Sequence, residues 1–233
     1  MIVSINQPAY LPWLGYFDRI RRSDLHIVLD NVQIERNTKH SFTNRNKVRT
    51  AQGWTWLTVP LRHPTTAAEE LINGICIDGD VWQRKHSRTL AQSYGKARHF
   101  GEHQIYFEEL YSRSWIHLAP LLRESTGYLL KVLGICTPLL FSSEMKVEGS
   151  KAELVINLCK AAGATVYLSG PLGRDYLDPA IFETAGIALQ FHEYAHPVYS
   201  QLHGQFIPYM SVVDLLFNHG PDALRTLRGE SQL

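Results

Sequence analysis

Ile2-Val3-Ser4-Ile5-Asn6-Gln7-Pro8-Ala9-Tyr10-Leu11-Pro12-Trp13-Leu14-Gly15-Tyr16-Phe17-Asp18-Arg19-Ile20-Arg21-Arg22 is the stretch whose reading decides the fold. A β-branched run, Ile2 to Ile5, passes through a loop into a helix-like run, Trp13 to Arg22, and Leu25 to Leu29 follows as a second strand-like run. A crossover helix makes the two flanking strands parallel. Open sheets of this kind bind ligands beyond the carboxyl ends of their strands, so the loop after the first strand is the first candidate site. Pro8 and Pro12 stiffen it, because each fixes its own φ and restricts the residue before it. Tyr10, Trp13 and Tyr16 are then held in place, and rings with one polar handle suit an apolar pocket that positions a small ligand.

The same alternation resumes later in the chain. Pro138 to Phe141, Val166 to Leu168 and Ile187 to Phe191 read as strands, separated by helices over Lys151 to Ala162 and Pro179 to Ala185. Between the two portions a hydrophilic region, Asn31 to Ala51, gives way to strand-like Trp54 to Pro60 and Gly74 to Ile77, expected as a hairpin-like excursion. From Trp82 to Gly134 the pattern is helical, with Leu118, Leu121, Leu122, Leu129, Leu130 and Leu133 at spacings of three, four and seven. Gly134 is a helix stop. Tyr209 to Phe217 and Pro221 to Leu227 read as helices. The expectation is a single α/β domain over residues 1–233, with a mainly parallel, open, Rossmann-like sheet and a central helical insertion at about 82–134.

A chain of 233 residues with 45% hydrophobic and 19% charged residues is ample to bury a core. Its net charge of +1 argues against nucleic acid as the main partner. Residues 19–50 nevertheless carry Arg19, Arg21, Arg22, Arg36, Lys39, Arg45, Lys47 and Arg49 against Asp24, Asp30 and Glu35, a local surplus of five that suits either a solvated face or a phosphate-bearing ligand. Cys76, Cys136 and Cys159 are widely spaced in apolar runs and read as buried thiols of a reducing compartment. The polar Asn6-Gln7-Pro8 interrupts any leader-like start and no apolar run reaches a membrane span, so a cytoplasmic protein without a membrane partner is expected.

His192-Glu193-Tyr194-Ala195-His196 matches the zinc-protease pattern, which needs both imidazoles one helical turn apart. Pro197 disfavours helix at His196, and in an extended chain the two histidines lie about 13 Å apart, so no metal is expected. Asp30 and Gln33 follow the second strand and would face the Gln7 loop; Asp30 reads as an amine ligand or general base, or as a turn or cap with Asn31. Asn44-Arg45-Asn46-Lys47 offers two cations for phosphate, with Arg in bidentate fashion. Ser169-Gly170, between a strand and a helix-like run, offers backbone N–H groups to an anion, without a full nucleotide fingerprint. Lys85-His86 supplies a cation or a proton carrier, or His86 is a surface histidine.

The run Gln7-Pro8-x-Tyr10-x-Pro12-Trp13-x-Gly15-Tyr16-Phe17 resembles the signature of the WbqC-like family. The likeness continues in Leu29-Asp30-x-Val32-Gln33, Asn44-Arg45-Asn46-Lys47, Trp56-Leu57-Thr58-Val59-Pro60, Lys85-His86, Tyr167-Leu168-Ser169-Gly170, Tyr176-Leu177-Asp178, His196-Pro197-x-Tyr199-x-Gln201 and Ser211-x-x-Asp214-Leu215-Leu216-Phe217-Asn218. That family is found near bacterial surface-polysaccharide (O-antigen) genes. The resemblance implies a transferase that moves a glycyl, other aminoacyl or acyl group onto an amino sugar. Asp30, Gln33 and His86 are then the catalytic candidates, and Asn6, Gln7, Tyr10, Trp13, Tyr16, Asn44, Arg45, Lys47, Lys85, Ser169, Gly170, Tyr176, Tyr199 and Gln201 the substrate-binding ones. A nucleotide or an activated amino-acid or acyl donor is the implied cofactor, and a small phosphate-bearing molecule the implied partner. The family's usual histidine before Gln-Pro is Asn6 here, an amide that can hydrogen-bond but cannot carry a proton. Two alternatives stand beside this reading. One is an ATP-dependent enzyme resembling class I nucleotidyltransferases, whose His-x-Gly-His loop this chain lacks; the other is a non-catalytic sugar-binding or scaffold protein.

Overall fold

The computed structural model describes residues 1–34 and 41–230. Five strands form one sheet: β1 (Ile2–Asn6), β2 (Leu25–Val28), and, after a two-stranded hairpin of β3 (Arg45–Thr50) and β4 (Gly53–Thr58), β5 (Leu139–Phe141), β6 (Val166–Ser169) and β7 (Ala188–Phe191). Every pairing in the large sheet is parallel, with Val3 opposite Leu25, Val3 opposite Tyr167, His26 opposite Leu139 and Val166 opposite Ala188. The spatial order is β5-β2-β1-β6-β7. Numbered along the chain within this sheet alone, the order is 3-2-1-4-5, that of a Rossmann-like fold.

Central parallel strands are covered on both faces and so read as near-continuous apolar runs. Val3, Ile5 and Ile27 bury one face against Leu154 and Leu158 of α6 (Lys151–Ala161) and Phe182 of α7 (Pro179–Thr184). Ser4 and His26 lie on the other face, where Ser4 Oγ and His26 Nδ1 are 2.8 Å apart and the His26 ring packs edge-on against Tyr16 of α1 (Leu14–Arg21).

Among the remaining helices, the short α2 (Ala67–Glu70) precedes α3 (Val81–Tyr94), α4 (Phe100–Ser112) and α5 (Leu118–Val132), which fall between β4 and β5. The three longer ones bury their apolar stripes with α8 (Val212–His219), whose Phe217 ring meets Tyr94, Phe100 and Phe107 at 5.1, 5.2 and 5.5 Å. The chain closes on α9 (Ala223–Leu227). Among the described residues no helix is long and apolar enough to cross a membrane.

Three local expectations change. The partner of β4 is Arg45–Thr50, inside the stretch read as hydrophilic; its alternate residues Asn46 and Val48 are buried while Arg45 and Lys47 are only partly covered. Gly74 to Ile77 is not a strand but the end of a 3-10 turn followed by single bridges from Cys76 to His117 and Ile77 to Leu61. Helix α8 begins at Val212 rather than Tyr209, because the Ser211 hydroxyl caps it. The thiols also differ from expectation. Cys159 is buried, and burial pushes it up to about 12; Cys76 is half-buried, 3.7 Å from His117 Nδ1. Cys136 is exposed, because Ile135 just past the Gly134 helix stop turns inward and its neighbour turns out.

Candidate functional site

The carboxyl ends of β1, β2 and β5 open into a cleft of about 350 Å³. Its floor is Pro8, Val28, Asp30 and Phe141, and Pro120, Leu122, Arg123 and Thr126 of α5 lean over it. The volume suits a small ligand, and the apolar lining with a few polar groups is the usual composition of such a site. Tyr16 also lines the cleft, and its buried hydroxyl has no hydrogen-bond partner. Burial pushes that phenol above its ordinary range, so it is a neutral donor. Asp30 is held by its neighbours: Oδ1 accepts from Ser142 Oγ at 3.1 Å and from the Ser143 N–H at 2.9 Å, and Oδ2 accepts from Ser143 Oγ at 2.8 Å. Three donors on a group with about four lone-pair positions leave room for one more, such as a ligand amine. Arg123 guards the mouth, stacked 3.8 Å from the Phe141 ring centroid and paired with Glu144 at 2.8 Å.

The loop after β1 is pinned from several sides. Tyr10 turns away from the cleft into the helical layer, where its hydroxyl lies 2.9 Å from His86 Nδ1 and 2.6 Å from the Tyr111 hydroxyl. Burial pulls the His86 imidazole down to about 4, so at neutral pH it is an uncharged part of the core and not a surface histidine. Lys85 beside it is exposed on α3. Leu11 has φ 43°, a left-handed conformation that a branched residue before proline rarely takes, and its carbonyl accepts from Asn46 Nδ2 at 2.7 Å. Trp13 packs between Phe42 and Tyr16. Asn6 and Gln7 are half-buried at the end of β1, with no side-chain hydrogen bond among the described residues.

The hairpin cations lie outside the residues that line the cleft. Arg45 stacks on Trp56 at 4.6 Å, Lys47 lies 4.9 Å from the Trp54 ring centroid, and Asn44 donates to the Val59 carbonyl. Gln33 is at the surface, donating to Glu70 at 2.7 Å. Tyr199 and Gln201 both donate to Asp214 Oδ2, at 2.9 and 2.8 Å, and so fasten the extended segment after β7 onto α8. The basic stretch is not one face: Arg21 and Arg22 pair with Asp18, and Arg49 donates to the carbonyls of Thr50, Gly53, His203 and Gln205. Glu35, Arg36 and Lys39 lie outside the described residues.

The order of strands reverses between β1 and β6, and a second group of residues gathers there. Ser169 ends β6 and Gly170 follows it, and the Ser169 carbonyl accepts from the His192 N–H at 2.8 Å. His192 Nε2 meets Asp18 Oδ2, while His196 Nδ1 faces the Pro197 carbonyl and its Nε2 accepts from the Tyr209 N–H, so the two histidines serve different partners in an extended segment. Arg19 reaches Gly170 from α1: a Cβ built on that glycine would sit 2.3 Å from Arg19 Nη1. Tyr176, nearby, is exposed. By sequence, Arg19 is one of eight cations in a locally basic stretch. Every residue of α1 from Leu14 to Ile20 is buried, and that burial is what sets Arg19 apart.

The model of the WbqC-like protein family matches residues 7–226, and an uncharacterized protein of Mycobacterium tuberculosis is 38% identical over 235 residues, covering 97% of this chain and 98% of its own. No solved structure matches. The match runs from the loop after β1 to α9, and a match of that extent settles the family: the chain belongs to the WbqC-like protein family.

Proposed function

We propose that this protein is a transferase acting on a small phosphate-bearing substrate of the nucleotide-sugar type, and that it places an aminoacyl or acyl group on an amino sugar in the assembly of a bacterial surface polysaccharide. The observation that carries the reading is the cleft at the carboxyl ends of β1, β2 and β5, lined both by Tyr16, whose buried hydroxyl has no partner, and by Asp30, whose carboxylate has spare acceptor capacity. Acyl transfer to an amine forms the amide C–N bond as the bond from the acyl carbon to the donor's activating group breaks and that group departs, and it needs the amine oriented and its proton received. In this reading Asp30 takes both roles, and Tyr16 supplies a neutral donor for a sugar hydroxyl or an acyl oxygen. Pro120 and Leu122 of α5 give the cleft an apolar side, against which an activated donor would be less exposed to hydrolysis.

The test is a thermal-shift screen of the full chain against nucleotide-linked amino sugars, followed by mass spectrometry of mixtures with activated aminoacyl and acyl donors. A ligand at one hundred times its dissociation constant should stabilise the protein by about 2.7 kcal/mol. Stabilisation by an amino-sugar nucleotide, with transfer lost in Asp30→Asn, supports the reading. No stabilisation by any member and no acylated product removes it.

A further inference from the structure

Arg19 is 7% exposed, and among the described residues its guanidinium has neither a hydrogen bond nor an ion pair. An arginine stays charged in proteins, and burying a charge without a counter-charge is expensive. The titratable groups that act on it are the phenols of Tyr167, Tyr16 and Tyr176, not carboxylates. The neighbouring Asp18 is spent elsewhere, on Arg21, Arg22 and His192. A fold that keeps such a group has a missing partner, and its chemistry is anionic.

Position narrows the choice. Helix α1 runs back along the sheet from the loop after β1, and helical side chains tilt toward their helix N-terminus, so Arg19 is directed back to the carboxyl edge of the sheet. There it lies against Gly170, where any side chain would collide with it. Gly173 lies as close to Ser169 Oγ, at 2.2 Å from its would-be Cβ, so the turn after β6 is drawn tight around the same spot. β1 and β6 are the neighbours between which the strand order reverses, and in sheets of this order that crevice receives the phosphates of a nucleotide. The planar guanidinium matches a phosphate with two parallel hydrogen bonds.

We propose that Arg19 is the anion-binding residue of the β1/β6 crevice and that it takes the phosphate or diphosphate of the small-molecule ligand. The inference deepens the reading of the preceding section and rests on it for which molecule bears the phosphate, though not for the anion itself. Gly170 is the complementary element, since its bare backbone leaves the space the guanidinium occupies.

The experiment titrates the full chain with inorganic pyrophosphate, and with acetate at matched ionic strength, following thermal unfolding and calorimetric binding for the unaltered protein, Arg19→Lys and Arg19→Met. Pyrophosphate should raise the unfolding temperature in a saturable way that acetate does not reproduce. Arg19→Met should bind pyrophosphate at least tenfold more weakly and, without ligand, unfold at the same or a higher temperature, because the uncompensated charge is gone; Arg19→Lys should fall between. Absence of a pyrophosphate effect in the unaltered protein overturns the proposal whether or not Arg19→Met folds, as does Arg19→Met binding within twofold. Pyrophosphate binding that depends on Arg19, with no turnover of any nucleotide sugar, upholds the anion site and removes the transferase reading. Turnover that is unchanged in Arg19→Met does the reverse.

Discussion

His192 Nε2 and Asp18 Oδ2 lie 2.8 Å apart in the core, joining the residue after the last strand to the first helix across 174 positions of sequence. Burial alone would raise the Asp18 carboxyl, but the bonds from His192 and Arg21 and the charge of Arg22 hold it below its usual range. His192→Ala should therefore leave a buried carboxylate short of one donor and cost about 1–3 kcal/mol, read as a lower urea midpoint with an unchanged m-value. A midpoint equal to that of the unaltered protein would show that the contact does not hold the segment.

Tyr199 and Gln201 converge on one oxygen of Asp214, a carboxyl that burial raises. Tyr199→Phe and Gln201→Leu should each cost about 1–2 kcal/mol and be non-additive, because the two donors share an acceptor. Ligand affinity of the folded variants should stay within twofold. A selective loss of affinity, with stability intact, would return both residues to the substrate-binding set that the family resemblance implied.

The Tyr16 hydroxyl gives a prediction of the opposite sign. Tyr16→Phe removes a buried group that has no partner, so the ligand-free protein should be unchanged or up to about 1 kcal/mol more stable. Affinity for the cleft ligand should fall by roughly tenfold, the worth of one hydrogen bond. Destabilisation by more than about 1 kcal/mol would mean that the hydroxyl is satisfied within the protein.

Two imidazoles set the acid limit. Burial pulls His26 down to about 3 and His86 to about 4, below the ordinary value near 6.5. Below about pH 6.5 the unfolded chain takes up protons that the folded one refuses, so stability is fully present above that pH and is lost as pH falls toward the folded values. The loss per histidine reaches on the order of 3 kcal/mol. Urea unfolding at a series of pH values between 8 and 4 should show it, and His86→Gln should flatten the curve. Constant stability from pH 7 to 5 would contradict the neutral state of both rings.

Gly170→Ala places a methyl where Arg19 Nη1 now lies, and the far end of a flexible side chain is what must move. The fold should survive with a change under about 1 kcal/mol, whereas pyrophosphate affinity should drop as far as in Arg19→Lys. Calorimetry on both variants checks the pairing.

The strands of the large sheet were legible because burial on both faces writes itself as short apolar runs: Ile2 to Ile5 and Val166 to Leu168 each lie within one residue of the observed ends. β3 was not, since Arg45, Lys47 and Arg49 dominate its composition and its buried positions include Asn46, an amide that bonds a loop rather than an apolar side chain. Loops that follow strands directly, at Pro8 and Asp30, could be placed at one sheet edge from connectivity alone. The wall of the cleft could not, because Arg123 and Thr126 reach it through tertiary docking of α5, which no local pattern encodes. Tyr10 and His86 show the same limit in reverse: their residue types suit a ligand site, and only packing shows that they bond each other.

The position of β1 has a consequence for how the chain comes together in time. Ile2 pairs with Val166, and β1 is flanked on its other side by β2, which itself waits for His26 to meet Leu139. The strand at the middle of the sheet is thus synthesised well before the neighbour that encloses it. Until residues beyond 166 emerge, one of its edges stands open with Val3 and Ile5 uncovered on one face, the kind of edge that pairs with other chains. Such long-range parallel pairing makes folding slow, and it is during that wait that β1 is most exposed to pairing with the wrong strand.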